Sequence, residues 1–263
     1  MQVHLVQKKI DVSWTDSNRS LGKQARGGHE KRGLNPKRTT KGIASEARLV
    51  WIFQKFLMRV QSAKLSGFLE EFDCSNGVAD LVVYKLRRDW KNRTSLGHIS
   101  ARWVYALHEL PYRRVFTVED FSTIAGVTQR RARDALQEFA KLGFCVKGAT
   151  NDVWIKIKQP QYITTYICAI EAKLRNWKKA LSQAVRHLDY ANQSWVLLDS
   201  ACLRPAIQNI KEFRRLNVGL ASMSSDGNVE YHYVPKIRRP HSDPRLWQAN
   251  AIIAFRITHS NNL

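Results

Sequence analysis

Glu171 and Lys173 close the apolar run "YITTYICAIEAK", and the helical pattern "NWKKALSQAVRHLDY" starts just beyond them. Side chains two residues apart on a strand point to the same face, so this carboxylate and ammonium stand side by side. Such a pair is either a solvated ion pair, worth little energetically, or part of a site for a metal and a phosphate. The stretch before it, "YICAI", is almost wholly apolar, as in a strand buried on both faces. Two charges at the end of such a strand fit a functional edge of a sheet better than a wetted surface.

The bulk of the chain narrows the chemistry. Of its 263 residues, 44% are hydrophobic and 10% aromatic. That is enough for a proper core, which excludes wholesale disorder. The formal charge is +21, and such an excess calls for a polyanionic partner. Nucleic acid is the first choice and an anionic membrane surface the second. No apolar run has the length of a spanning helix and no basic amphipathic segment stands out, so no membrane is expected. "MQVHLVQKKIDVSW" lacks the apolar centre of a signal peptide, and a cytoplasmic location is expected. The four cysteines are Cys74, Cys145, Cys168 and Cys202. They show no C-x-x-C spacing, which speaks against a zinc knuckle or a disulfide framework. Cys145 and Cys168, in strand-like runs, read as buried thiols.

The elements that would position Glu171 and Lys173 follow from periodicity. Residues 1–44 read as a basic flexible arm, most clearly over 15–42. From an N-cap at Ser45, Leu49, Ile52, Phe53, Phe56 and Leu57 recur with helical period. Two strand-like runs, Gly67–Phe72 and Val78–Leu86, flank the turn pair Asn76-Gly77 and read as a hairpin. Residues 45–96 thus form a first piece of core. Residues 160–263 form a second, with a strand ending at Lys173, a helix at about 176–191 and the strand "SWVLLD". A helix at about 204–216 follows, then two strands around Asp226-Gly227, and a last helix capped by Asp243 with Pro244 at its first position. The expected architecture is α/β, a mixed sheet flanked by helices.

Residues 97–159 interrupt this core. A helix stopped by Pro111, a helix capped by Thr117, a short turn, a helix from Thr128 to Gly143, then a hairpin, is the order of a winged helix-turn-helix. Its second motif helix would enter the DNA major groove, presenting Gln129, Arg130, Arg131 and Arg133. Lys147 and Asn151, near the wing, would reach phosphate or the minor groove. Ala135, Leu136 and Phe139 read as core. Insertion of this module accounts for the long stretch between the run Val78–Leu86 and the strand ending at Lys173, because an insertion in a hairpin leaves the core intact. Winged modules also mediate protein contacts, so the fold alone does not fix the role.

Three pieces, "GVADLVVYK", "AIEAK" and "ALSQAVRHLDYANQSWVLL", together resemble the PD-(D/E)XK, or restriction-endonuclease-like, nuclease superfamily over residues 45–86 and 160–235. The resemblance implies that Asp80, Glu171, Lys173 and Gln183 are the catalytic set, with Glu46 on the first helix joining them. Asp80 and Glu171, the carbonyl of Ala172, and Glu46 directly or through water, would ligate Mg²⁺, with Mn²⁺ able to substitute. Hard oxygen donors of this kind hold Mg²⁺ while leaving waters on the ion, and the ion lowers the pKa of a bound water. Lys173 would orient the attacking water and stabilise developing charge; it is a poor base unless its pKa is depressed. Where RecB-like members carry Tyr four residues after the Gln, this chain has His187. Trp177, Ala180, Leu181, Ala184 and Leu188 form the core stripe of that helix, while Lys178, Lys179 and Arg186 suit phosphate contacts.

The expected function is therefore a metal-dependent endonuclease that hydrolyses phosphodiester bonds in double-stranded DNA, targeted by a winged-helix insert, as in mobile elements or defence systems. Cutting both strands would call for a homodimer or a partner nuclease subunit. Two rivals stand beside it: a non-catalytic winged-helix regulator on an inert nuclease-like scaffold, and a nuclease selective for branched DNA or RNA.

Overall fold

The computed structural model describes residues 42–60, 65–74, 77–150 and 152–260. Residues 1–41 of the expected arm, and Asn76 and Asn151, which the sequence reading assigns to the hairpin turn and the wing, lie outside the described residues. Among those described, the main sheet has the order β1-β2-β6-β7-β8-β9. Helix α1 (Glu46–Val60) leads into the hairpin β1 (Ser66–Asp73) and β2 (Val78–Leu86). Strand β6 (Thr164–Lys173) lies antiparallel to β2 and parallel to β7 (Gln193–Asp199), which runs parallel to β8 (Gly219–Met223). β9 (Val229–Tyr233) closes the sheet antiparallel to β8. The sheet is mixed and flanked by helices, as expected.

Helix α1 covers one face. Ser45 Oγ accepts from Arg48 N–H at 3.1 Å and so caps it. Leu49, Phe53 and Leu57 pack against Leu81, Val83, Ile170 and Leu197. The other face carries α5 (Trp177–His187), α7 (Ile210–Leu216) and α8 (Asp243–Ser260). The ordered core starts earlier than the arm boundary at residue 44 implied. Ile43 is buried beside Leu49, and its N–H donates to Asp199 Oδ2 at 2.7 Å. Asp199, at the end of β7, thus pins the chain before α1 begins.

Three helix boundaries differ from expectation. The helix expected over 204–216 is two, α6 (Arg204–Gln208) and α7. Asn209 leaves helical geometry between them, and its side chain donates back to Pro205 O at 2.8 Å, a local bond that competes with the helix. The helix expected to run to 191 ends at His187. Beyond it Leu188, Asp189 and Tyr190 N–H bond three residues back, in a tightened last turn. Ser242, not Asp243, caps α8. Its Oγ accepts from Arg245 N–H, while Asp243 pairs with Arg239.

Between β2 and β6 the chain makes a 3₁₀ segment, Trp90–His98, then α2 (Ala101–Glu109), β3 (Val115–Thr117), α3 (Val118–Ala125), α4 (Gln129–Lys141), β4 (Cys145–Lys147) and β5 (Val153–Lys156). The last three strands form their own antiparallel sheet in the order β3-β5-β4. Thr117 and Asp120 make a reciprocal capping box, and Gly126 and Gly143 take the positive φ that ends each helix. The insert leaves β2 and β6 hydrogen-bonded as neighbours.

Helix α8 joins insert to sheet. Trp247 and Ala251 belong to the insert's core with Trp103, Leu107 and Phe121, whereas Ala249, Ile253 and Ala254 pack on β2 and β6. A side chain on Gly97 would strike the backbone of Ala254 and Phe255, so the 3₁₀ segment lies directly on α8. Lys156 is fully buried at this junction. Its ammonium donates to the carbonyls of Leu107, His108 and Leu110 at 2.7, 3.3 and 3.2 Å, closing the end of α2. Burial pushes its pKa down to about 8. The folded protein then binds fewer protons here than the unfolded chain between pH 8 and 10.5. The stability of wild type relative to Lys156→Met therefore rises across that window, on the order of 2 kcal/mol. Paired urea titrations at the two ends check this; a constant difference is the contrary result.

Candidate active site

β6 and β2 bring the site together. Their register pairs Leu81 with Ile170, and one step further sets Asp80 opposite Glu171. Asp80 Oδ2 accepts from Ala172 N–H at 2.7 Å, joining residues 92 positions apart. Glu171 shares a strand face with Ile167 and Ala169, the face beneath α5 and α8. Strand β6 is buried almost throughout, so Glu171 and Lys173 are inside the protein, 1% and 9% exposed, rather than on a wetted edge.

Lys173 Nζ is the centre of the cluster. Four oxygens surround it: Glu171 Oε1 at 2.9 Å, the Ala172 carbonyl at 3.0 Å, Glu46 Oε2 at 3.2 Å and Asp80 Oδ2 at 3.5 Å. The Glu171 contact is close but out of line for a hydrogen bond, since Oε1 has no hydrogen-bond partner. Glu46 arrives from the first turn of α1, so the α1 face and the sheet meet here. Its carboxylate is half exposed.

The electrostatics assign Lys173 a charge. Burial alone would lower its pKa, but the carboxylates of Glu171, Asp80 and Glu46 outweigh that and hold it up at about 12. It is an ammonium at neutral pH, a donor and a cation, not a base. Asp80 goes the other way from most paired acids. Burial raises its pKa, the Ala172 N–H opposes this, and the neighbouring Glu171 charge adds to the rise.

Behind Glu171 lies His187, with no exposed surface. Its Nε2 is 3.3 Å from Glu171 Oε2, and its ring packs on Tyr190, which packs on Phe72. Sequence reasoning noted His187 only as the residue in a family Tyr position. The i, i+4, i+7 spacing of Gln183, His187 and Tyr190 was the available signal, but spacing does not say that this side meets Glu171. Gln183 is one turn before His187, half-buried, with its Oε1 unpartnered.

The oxygens suit a hard divalent cation by type: two or three carboxylates and a carbonyl. Among the described residues, no group of three or more acidic, His or Cys side chains is closed around a metal-sized point. The distances explain why. Oxygens 2.9–3.5 Å from Nζ fit an ammonium, whereas Mg²⁺ needs about 2.0–2.1 Å. A metal and Lys173 Nζ therefore compete for one place, and the donor set fits the ion only with the ammonium displaced.

The residues expected to touch DNA are dispersed. Gln129, Arg130 and Arg131 are exposed on the first turn of α4, as is Lys147 at the end of β4. Arg133 is exposed but engaged: its guanidinium is 3.1 Å from Asp152 and 3.4 Å from Gln129 Oε1, tying the start of α4 to the connection between β4 and β5. That role competes with base reading. Lys178 and Lys179 project from the first turn of α5, next to the end of β6, and Arg186 from its last turn beside Gly77. Asn176 Oδ1 caps this helix by accepting from Lys179 N–H at 3.1 Å.

No protein-family model, no curated protein and no solved structure matches this chain. No described helix is long and apolar enough to cross a membrane.

Proposed function

We propose that the chain is a metal-dependent endonuclease that hydrolyses phosphodiester bonds of duplex DNA. The observation that carries this reading is the convergence of Glu46, Asp80, Glu171 and the Ala172 carbonyl, from three separate elements, on one buried cation, Lys173 Nζ. Burying acids and a lysine together is costly, and an ordinary sheet core does not need them. In the proposed reaction a water oxygen forms a new bond to phosphorus and gives up a proton, the bond to the leaving deoxyribose oxygen breaks, and that oxygen takes up a proton. Asp80, Glu171 and the Ala172 carbonyl would hold Mg²⁺, or Mn²⁺ in its place, with Glu46 direct or through water. The ion would supply charge neutralisation at the phosphate and a more acidic bound water.

The chain's own residues do the rest. Lys173, displaced from the carboxylates but still charged, donates to the phosphate or the attacking water, where negative charge grows. Asp80 is held in place by Ala172 N–H. His187 holds Glu171 from behind, and Gln183 lies on the same helix face one turn nearer the start of α5. The exposed cations of α5 flank the end of β6 and suit the backbone of a bound strand.

The insert, with its three helices and small antiparallel sheet, is read as a winged helix-turn-helix that binds the duplex through Gln129, Arg130 and Arg131. Arg130→Ala and Arg131→Ala are expected to weaken duplex binding by about 1–2 kcal/mol each. A lower salt slope marks a phosphate contact, and relaxed sequence preference a base contact. Arg133→Ala, already paired with Asp152, is expected to do less. Anisotropy titrations over a salt series separate these outcomes.

The closing test of the enzymatic reading is cleavage of supercoiled plasmid and of branched, duplex and single-stranded substrates with Mg²⁺ or Mn²⁺, wild type beside Glu171→Gln. The second reading, a DNA-binding regulator on an inert core, draws on the same ammonium that occupies the metal's place. Binding without cleavage under any metal favours it.

A further inference from the structure

Helix α1 has an outer side that neither the core nor the candidate site uses. Leu49, Phe53 and Leu57 turn inward. Outward stand Arg48, Trp51, Lys55 and Met58, at helical spacing. Trp51 is 45% and Met58 57% exposed, on a side where an amphipathic helix ordinarily shows polar groups. The Arg48 guanidinium lies 4.0 Å from the Trp51 ring centre, and Lys55 Nζ 5.5 Å from it. The helix's one acid, Glu46, is at its start and is paired with Lys173. The outer side is therefore an indole bracketed by two cations, with no carboxylate of the helix to answer them.

We propose that this side of α1 is a binding site for an unpaired stretch of nucleic acid, with a base stacked on Trp51 and its flanking phosphates on Arg48 and Lys55. The proposal rests on the reading of the chain as a DNA-acting protein and adds the kind of strand it holds. Charge complementarity selects the occupant: the chain carries +21 overall and this side of the helix carries cations only. The indole selects its form. Bases within a duplex are stacked on each other and present only groove edges and backbone phosphates, neither of which stacks on an indole; an unpaired base offers a free π-face. Arg48 can leave the ring for a phosphate as the base takes its place. Placement favours the same ligand. Trp51 is five residues along α1 from Glu46, a rise of about 7.5 Å, so a strand leaving the Lys173 cluster reaches this side within a few nucleotides.

The test is binding by the full-length protein in EDTA, so that cleavage plays no part, to labelled blunt duplex, the same duplex with a single-stranded tail, and the tail alone. Wild type is expected to prefer the tailed duplex to the blunt one by about tenfold or more. Trp51→Ala removes that preference and leaves blunt-duplex affinity unchanged; Trp51→Phe keeps most of it. Arg48→Ala with Lys55→Ala lowers affinity for the tail and reduces its salt slope by about 1.4. Circular dichroism confirms that the exposed substitutions leave the helix formed. Absence of a tail preference in wild type, or its persistence in Trp51→Ala, overturns the proposal and leaves the exposed Trp51 and Met58 as a protein contact. Neither result touches the enzymatic reading, which the plasmid assay decides separately.

Discussion

Glu171→Gln is expected to lower DNA cleavage by about 10³-fold or more while leaving duplex binding within about threefold. Glutamine keeps the size of the side chain and the contact distances to Lys173 and His187, but it removes the charge. The groups expected to hold the duplex are on other elements, α4 and the ends of α5, so binding survives. Lys173→Met is expected to cost as much in rate and, unlike Glu171→Gln, to reshape stability. Without the ammonium, Glu46, Asp80 and Glu171 repel across a partly buried space. The folded state then favours the protonated form of Asp80 more strongly than it already does. A raised folded pKa means that the folded protein binds more protons than the unfolded chain just above the ordinary carboxylate range. The stability of Lys173→Met should therefore fall, relative to wild type, as pH rises from about 4 to 7. If the metal reading holds, Mg²⁺ should restore part of it, because the ion would take the vacated place among the same oxygens. Thermal melts across pH with and without Mg²⁺ read both effects. A Lys173→Met protein that cuts DNA normally, or melts with the pH profile of wild type, would remove Lys173 from the centre of the site.

The second large effect concerns α8, the helix that joins insert to sheet. Asn250 is wholly buried on α8. Its Oδ1 accepts from Ile163 N–H at 2.9 Å, Thr164 N–H at 3.0 Å and Thr164 Oγ1 at 3.0 Å, and its Nδ2 donates to Leu246 O at 2.9 Å. It satisfies the first residues of β6 where the chain returns from the insert. Asn250→Leu fits the space yet leaves two buried backbone N–H groups and a hydroxyl without an acceptor. Each orphaned donor costs roughly 1–3 kcal/mol before relaxation, so a loss of about 3 kcal/mol is expected overall. Urea unfolding reads it as a lower midpoint. Arg256→Ala, an exposed position on the same helix, should stay within about 0.5 kcal/mol. If Asn250→Leu unfolds no more easily than Arg256→Ala, α8 does not hold the start of β6 as the distances indicate.

Much of this was legible in the chain. The α1 period from Leu49 to Leu57, the Thr117 and Thr128 caps, the Gly143 stop and the apolar run into Glu171 are local signals, and each is found where the spacing put it. Boundaries set by side-chain competition were not legible: Asn209 turning back to Pro205, or Ser242 taking the cap ahead of Asp243. Lys156 was missed although a signal existed. It alternates with the buried Trp154 on β5 and so had to point inward.

What the sequence determined by itself is most of the elements and where Asp80, Glu171, Lys173 and Gln183 fall on them, in a strongly cationic chain; the resemblance, not periodicity, singled out those four. These follow from neighbours within a few residues, which fix capping, period and turns. Only the tertiary structure decided which groups meet. It placed Glu46 on Lys173, buried His187 against Glu171, raised the Lys173 pKa with three carboxylates rather than depressing it, and used α8 to join the insert's core to the sheet's. Those outcomes depend on the register of β2 against β6 and on which side of α5 and α8 faces inward. Both are set by packing between segments some ninety residues apart, where no local pattern reaches.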